Sequence, residues 1–236
     1  MKPTLMELGG HAPVIVCADA DPVKSARKAA QAKFFNAGQV CTSPSRFFVH
    51  ESIVDAFTAE FVKAAQEVTV GDGLDADTTM GPLANERRLQ AMESLVADAV
   101  ERGAKVLTGG QRLERDGYFY APTVLTDVPA DAKLMHEEPF GPLAPIVPFT
   151  DLEETLALAN ALPYGLAAYG FTESAATAEK PRTRWRPASS PSTTAAAPVA
   201  EAPSGGVKES GYGREGGPEA LDAYLITKRV SHQLAG

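Results

Sequence analysis

Phe34-Phe35-Asn36-Ala37-Gly38-Gln39-Val40-Cys41-Thr42-Ser43-Pro44-Ser45-Arg46 is the stretch on which the fold turns. The run from Ser25 to Phe35, rich in Ala and Lys, is amphipathic, and Asn36-Ala37-Gly38 suits the left-handed turn that ends a helix. Arg46-Phe47-Phe48-Val49 then reads as a strand. Cys41 falls in the short loop between them, a place from which a thiol can face a cleft. Free cysteines are usually packed as small hydrophobes, and spacing alone would not lift Cys41 out of that class.

Working outward, Pro13-Val14-Ile15-Val16-Cys17 is a short apolar run bounded by turn formers and reads as a buried parallel strand, with Cys17 in the core. Asp19 to Asp21 followed by Pro22 is a helix start that leads into the Cys41 loop. On the other side, Ser52 is a candidate cap for a helix whose Ile53, Val54, Phe57, Phe61 and Val62 recur at helical spacing. Gly71-Asp72-Gly73 is a turn and Met80-Gly81-Pro82-Leu83 a loop. Leu89, Met92, Leu95, Val96 and Val100 form one apolar stripe ending at Gly103. Lys105 to Thr108 reads as a strand, Gly117 to Val128 is β-prone, and Asp151 or Thr150 caps a helix to Leu162. Alternating helices and strands predict an α/β domain, a mostly parallel sheet covered by helices.

The 236 residues, 44% hydrophobic and 22% charged, are globular in composition, and the net charge of −8 disfavours nucleic acid as a partner. Two cysteines, the lack of an apolar run long enough to span a bilayer, and the lack of a basic-then-apolar leader lead to the expectation of a cytoplasmic, reduced protein without a membrane partner.

Four elements share one resemblance. The Phe34 to Arg46 stretch closely resembles the nucleophile segment of the aldehyde dehydrogenase superfamily. Leu5-Met6-Glu7-Leu8-Gly9-Gly10-His11 looks like its Glu-Leu-Gly-Gly-Lys signature, with His11 replacing the Lys. His136-Glu137-Glu138-Pro139-Phe140-Gly141-Pro142 resembles Glu-Glu-x-Phe-Gly-Pro. Ala202-Pro203-Ser204-Gly205-Gly206-Val207-Lys208-Glu209-Ser210-Gly211 resembles Pro-Phe-Gly-Gly-x-Lys-x-Ser-Gly, with Ser204 where relatives carry Phe, a loss that would weaken an aromatic wall of the substrate tunnel. The block through Gly217 is similar to succinate-semialdehyde dehydrogenase-like members.

That resemblance implies Cys41 as nucleophile and Glu7 as the base that activates water for thioester hydrolysis. The Cys41 amide is an implied oxyanion donor. Glu138 would meet the nicotinamide ribose and Phe140 the nicotinamide of NAD or NADP, with Leu8 and Gly9 also at the cofactor; no metal is implied. Residues 1–206 then form the catalytic domain. Residues 207–236 supply a Gly-rich active-site loop, a short helix at Pro218 to Tyr224 and a terminal strand, Leu225 to His232, that pairs between subunits of a homo-oligomer. Family members are about twice as long, and no Gly-x-Gly-x-x-Gly follows an early strand, so the N-terminal nucleotide-binding domain is expected to be absent.

Residues 181–197 break the pattern: Pro181, Pro187 and Pro191 punctuate a run with no helical or strand period. One reading is a local frame error, since re-reading Arg182 to Thr194 in the neighbouring frame permits a string with a helix end, a Gly and an apolar alternation. A single uncorrected frame in the raw sequencing reads would refute it. Whatever its origin, the composition predicts a disrupted core element and active-site loop. Three functions follow: oxidation of an aldehyde, with a semialdehyde as the narrower class the resemblance implies, through a Cys thioester with weak turnover by this chain alone; a non-catalytic remnant pairing through its last strand; and a thiol esterase that needs no NAD.

Overall fold

The computed structural model describes residues 4–184 and 200–233. The chain opens with β1 (Met6–Glu7) and β2 (Ala12–Val16), the latter buried at every position as a strand covered on both faces must be. Helix α1 (Pro22–Phe34) starts where Asp21 accepts hydrogen bonds from the amides of Val23 and Lys24, both at 3.0 Å. It stops at Asn36, Ala37 and Gly38, with φ of 50°, 55° and 70°. A Cβ at Gly38 would collide with the Gly141 carbonyl, so this turn needs glycine for closeness as well as for conformation. Then come β3 (Pro44–His50), α2 (Val54–Gln66), α3 (Glu86–Glu101), β4 (Lys105–Thr108), β5 (Thr123–Thr126), β6 (Leu143–Phe149), α4 (Leu152–Ala159), β7 (Tyr169–Phe171), α5 (Ala175–Arg184) and β8 (Gly211–Tyr212).

Among the described residues, six strands make the main sheet in the order β4-β5-β6-β3-β2-β7, all pairs parallel except β4 with β5 at one edge. The mostly parallel α/β sheet predicted from the helix-strand alternation is therefore present. β1 and β8 pair antiparallel as a separate ribbon, joining the Glu7 segment to the Gly-rich block. Phe61 of α2 sets its ring 5.9 Å from Phe34 and 5.1 Å from Phe47, edge to face. This packing fixes the end of α1 and the start of β3, and so both anchors of the loop between them.

Several local expectations are corrected. Ser52 does not cap α2, whose N-cap is Ile53 without a side-chain bond; Ser52 turns instead to His50 Nδ1, 2.8 Å from its hydroxyl. Val100 is 47% exposed and lies off the buried stripe of α3. α4 ends at Ala159 rather than Leu162. Pro181 does not stop α5, which runs on to Arg184: a helix can continue past one missing amide bond, and Arg184 and Lys180 both pair with Glu153 of α4. The frame-error reading over 185–197 lies outside the described residues. Leu225 to His232 makes no strand in this single chain, where Leu225, Ile226 and Val230 are 67%, 95% and 72% exposed, because an edge strand needs a partner to pair with. Pro218–Tyr224 is a short 3-10 helix, as a Pro-led segment allows.

Candidate active site

Three motif segments lie immediately ahead of three neighbouring parallel strands. Glu7 to Gly10 leads into β2, Cys41 to Ser43 into β3, and Glu138 to Gly141 into β6. Since β6, β3 and β2 are adjacent and parallel, their amino ends share one edge of the sheet, and the topology alone brings the segments together.

The Cys41 loop is laced from several sides. The Ser43 amide donates to the Val40 carbonyl at 2.9 Å, closing a turn with Cys41 and Thr42 at its centre. The Tyr169 hydroxyl donates to the Thr42 carbonyl at 2.6 Å. Gln39 donates to the carbonyls of Asn36 and Pro82 and accepts from the Ala84 amide at 2.8 Å. Gly10 runs so close that a Cβ there would come within 2.8 Å of the Cys41 carbonyl oxygen. Cys41 is half-buried, whereas Cys17 is buried and its thiol pushed up to about 11, which leaves it inert. Burial pushes the Cys41 thiol up as well, followed by the charges of Glu7 and Glu138, against backbone hydrogen bonds that pull it down. The resting group is therefore a thiol, and it needs a base.

Glu7 stands exposed on β1, its carboxyl raised by partial burial and then by the charge of Glu215 and a hydrogen bond with it. Glu215 is the partner that the sequence reading left unassigned. Its backbone makes a two-bond bridge with Ser204, through Ser204 N to Glu215 O at 2.6 Å and the reverse at 2.8 Å. The signal available was only its place in the Gly-rich block. Ser204 is thus a backbone anchor for this carboxylate, whatever its missing ring does to a tunnel wall.

Glu138 is half-buried. It accepts the Gly10 amide at 2.8 Å, and a Cβ on Gly9 would collide with its other carboxylate oxygen, so Gly9 lets the two segments touch. Burial raises its carboxyl, while the Gly10 amide, Arg88 and Lys33 pull it back. Phe140 is half-buried with φ of 42°, and a Cβ at Gly141 beside it would strike Met92. Glu138 and Phe140 thus bring a half-buried carboxylate and a half-buried ring two residues apart along the loop. Leu8 is 45% exposed and gives its amide to the Ser210 carbonyl at 3.0 Å, so its backbone holds the ribbon together. His11 is buried, bonded to Ser45 Oγ at 2.7 Å and to the Leu134 carbonyl at 3.0 Å. Burial and the Arg46 charge hold it well below the ordinary histidine range, so it is a neutral strut where a lysine was expected.

The fold and site define an α/β protein in which a cysteine turn and two glutamate-bearing segments meet at the amino ends of neighbouring parallel strands. The chain belongs to the Aldehyde dehydrogenase family, whose profile matches residues 1–230. It is 47% identical over 228 residues to the 4-(hydroxymethyl)benzenesulfonate dehydrogenase TsaD1 of Comamonas testosteroni, covering 97% of this chain and 47% of that protein. To the succinate-semialdehyde dehydrogenase [NADP(+)] GabD of Escherichia coli (strain K12) it is 40% identical, with 97% and 47% covered. A solved E. coli NADP-dependent enzyme superposes with a TM-score of 0.92 at 40% identity, covering 94% of this chain and 46% of that one. An aldehyde dehydrogenase from Bacillus cereus in its NAD+ complex gives 0.90 at 37% identity, covering 93% and 45%. The chain spans about half the length of the curated relatives it matches.

Proposed function

We propose that this chain supplies the thiol chemistry of an NAD(P)-dependent oxidation of an aldehyde to a carboxylic acid. The observation that carries the reading is that the Glu7 to Gly10 segment, the Cys41 turn and the Glu138 loop lie ahead of adjacent parallel strands, with the Gly10 amide on the Glu138 carboxylate and Gly10 packed against the Cys41 carbonyl. Cys41 Sγ adds to the aldehyde carbon while its proton leaves to Glu7, which the raised carboxyl favours. The new alkoxide lies near the Cys41 amide, its oxyanion donor. Loss of hydride from that carbon leaves a thioester, and NAD(P), when bound, would supply the hydride acceptor. Glu7 releases the thiol's proton to solvent, and then takes a proton from water as that water attacks the acyl carbon. The C–S bond breaks, and the thiolate and the carboxylic acid are released.

Glu138 and Phe140 are the residues that would hold the nicotinamide end of the cofactor. Remote binding energy is what normally positions a reacting atom, and this chain spans about half of its relatives, so we expect weak dehydrogenase turnover from it alone. The names of two relatives give a hydroxymethyl benzenesulfonate and a semialdehyde of succinate, both anions, which favours a substrate with an anionic tail. Exposed Leu225 and Ile226 support pairing of the last segment with another subunit. Hydrolysis through an acyl-Cys41 needs no cofactor, and the Glu7-Glu215 pair supports that esterase reading as the second.

A chromogenic ester and an anionic semialdehyde with NAD+ or NADP+ test both. We expect an ester burst that Cys41→Ala abolishes and slow reduced-nicotinamide formation. A burst unchanged in Cys41→Ala would remove the thiol from the chemistry.

A further inference from the structure

Thr42 sits in the turn that presents Cys41, and its carbonyl oxygen has one hydrogen-bond donor among the described residues, the Tyr169 hydroxyl at 2.6 Å. The other bonds of the turn come from within the loop or from α1. The Ser43 amide closes the turn on the Val40 carbonyl at 2.9 Å, and the Asn36 side chain donates to the Gln39 carbonyl at 3.0 Å. Lys33, fully buried on α1, donates to the Ser43 hydroxyl at 3.3 Å. Tyr169 alone in this set ties the turn to a distant strand.

That strand is β7, two places from β3 in the sheet with β2 between them, and Tyr169 lies opposite Val14 in the β2-β7 register. Its side chain therefore reaches from β7 across to the loop that feeds β3. Gly10, ahead of β2, lies between the two: a Cβ there would come within 2.8 Å of the Cys41 carbonyl oxygen and 3.3 Å of Leu166, three residues before Tyr169. The absent side chain lets the 166–169 stretch and the Cys41 turn close on one another.

The Thr42 carbonyl and the Ser43 amide belong to one peptide plane. Tyr169 clamps the oxygen end of that plane and the Val40 carbonyl the nitrogen end. Without the hydroxyl, the Thr42-Ser43 peptide can rotate, and the amide that closes the turn rotates with it. A phenylalanine would lay the same ring against the sheet, so packing does not explain the hydroxyl. Tyr169 is half-buried, and burial pushes its hydroxyl up, so at neutral pH it remains a donor.

We infer that Tyr169 is a positioning residue for the nucleophile: its hydroxyl, bonded to the Thr42 carbonyl, anchors the turn to β7 and sets the direction in which Cys41 presents its thiol. The inference rests on the proposed role of Cys41 and deepens it, since it names what holds the thiol in place.

The test is Tyr169→Phe in the 236-residue chain, a change that removes one hydroxyl and no charge. We expect the Ser43 amide to exchange with deuterium about fivefold faster and the Cys41-dependent ester burst to slow about fivefold, the scale of one lost hydrogen bond. The half-saturating ester concentration and the melting temperature should stay close to wild type. Ser43 exchange at the wild-type rate overturns the inference, as does faster exchange with an unmoved burst rate. Exchange that quickens equally along β2 and β7 marks a packing role and overturns it too. Should the variant fail to fold, the wild-type chain decides: the Tyr169 hydroxyl proton must give a resolved NMR line with cross-peaks to Thr42 or Ser43, and the absence of that line overturns the inference. A wild type without a Cys41-dependent burst would remove the proposed function; the rate of Cys41 alkylation by iodoacetamide, assigned by its loss in Cys41→Ser, then takes the place of the burst in judging Tyr169.

Discussion

His11 stands where the resemblance led one to expect a lysine, and its surroundings explain the exchange. Both ring nitrogens are bonded, to Ser45 and to the Leu134 carbonyl, and the ring is closed in beside buried Arg46, which donates to the carbonyls of His11, Leu158 and Ala159. A second cation there would meet Arg46 without a counter-charge; a neutral imidazole does not. Since the folded His11 titrates well below its ordinary value, the unfolded chain takes up the proton first as pH falls. The stability that His11 contributes is thus present above about pH 6.5 and is lost as pH falls below it, by up to about 1.4 kcal/mol per unit. The raised carboxyls of Glu7 and Glu138 act in the opposite sense, favouring the fold at low pH, so the difference between wild type and His11→Gln isolates the histidine. Urea unfolding at about pH 7.5 and 5.5 should show a smaller loss on acidification in the variant than in wild type. At this scale, Cys41, Glu7, Glu138 and Phe140 were singled out as candidates by motifs. Lys33 and Glu215 were not: a lysine in an Ala-Lys run reads as solvated, and a glutamate in a glycine-rich block gives no sign of the carboxyl it will meet.

β2 and β3 were readable from their apolar runs, and a mostly parallel sheet from the helix-strand alternation; β6 was not read, since Pro145 and Pro148 interrupt its apolar run. What the sequence could not show was their order in the sheet, which is set by how α1, α2 and α3 pack and decides which loops become neighbours. Ser52 and Pro181 misled for a related reason, since local propensity yields when tertiary bonds, to His50 or to Glu153, satisfy the same groups another way. The β1-β8 ribbon is the element that presents Glu7, and it stands apart from the main sheet. Gly211 in it has φ of 145°, and a Cβ there would collide with the Met6 carbonyl. Gly211→Val should therefore break the ribbon and free Glu7 from Glu215 while the six-stranded sheet persists. Circular dichroism is expected to stay close to wild type as the Cys41-dependent ester burst slows at least about tenfold, a loss of about 1.4 kcal/mol of transition-state stabilisation. An unchanged burst would mean that Glu7 works without its ribbon.

For the molecule as a whole, composition marked the chain as globular and the helix-strand alternation gave the α/β class that the sheet has. The C-terminal segment is where the single chain is least self-sufficient: Leu225 is 67% and Ile226 95% exposed, so their removal takes little from the core. A chain ended at Tyr224 should keep its melting temperature within a few degrees and elute as a monomer on size exclusion, whereas the 236-residue chain elutes larger; equal elution would take the last segment out of assembly. Placing Gly10, Cys41 and Glu138 at one rim of the sheet also has a temporal side. Those residues are scattered through the chain, and their meeting depends on a long-range pairing, β6 alongside β3, of the kind that closes late because the intervening loop entropy must be overcome first. A nascent or partly folded chain accordingly carries an ordinary, unassisted sulfhydryl, and reactivity is conferred on it only by the final zipping of the sheet.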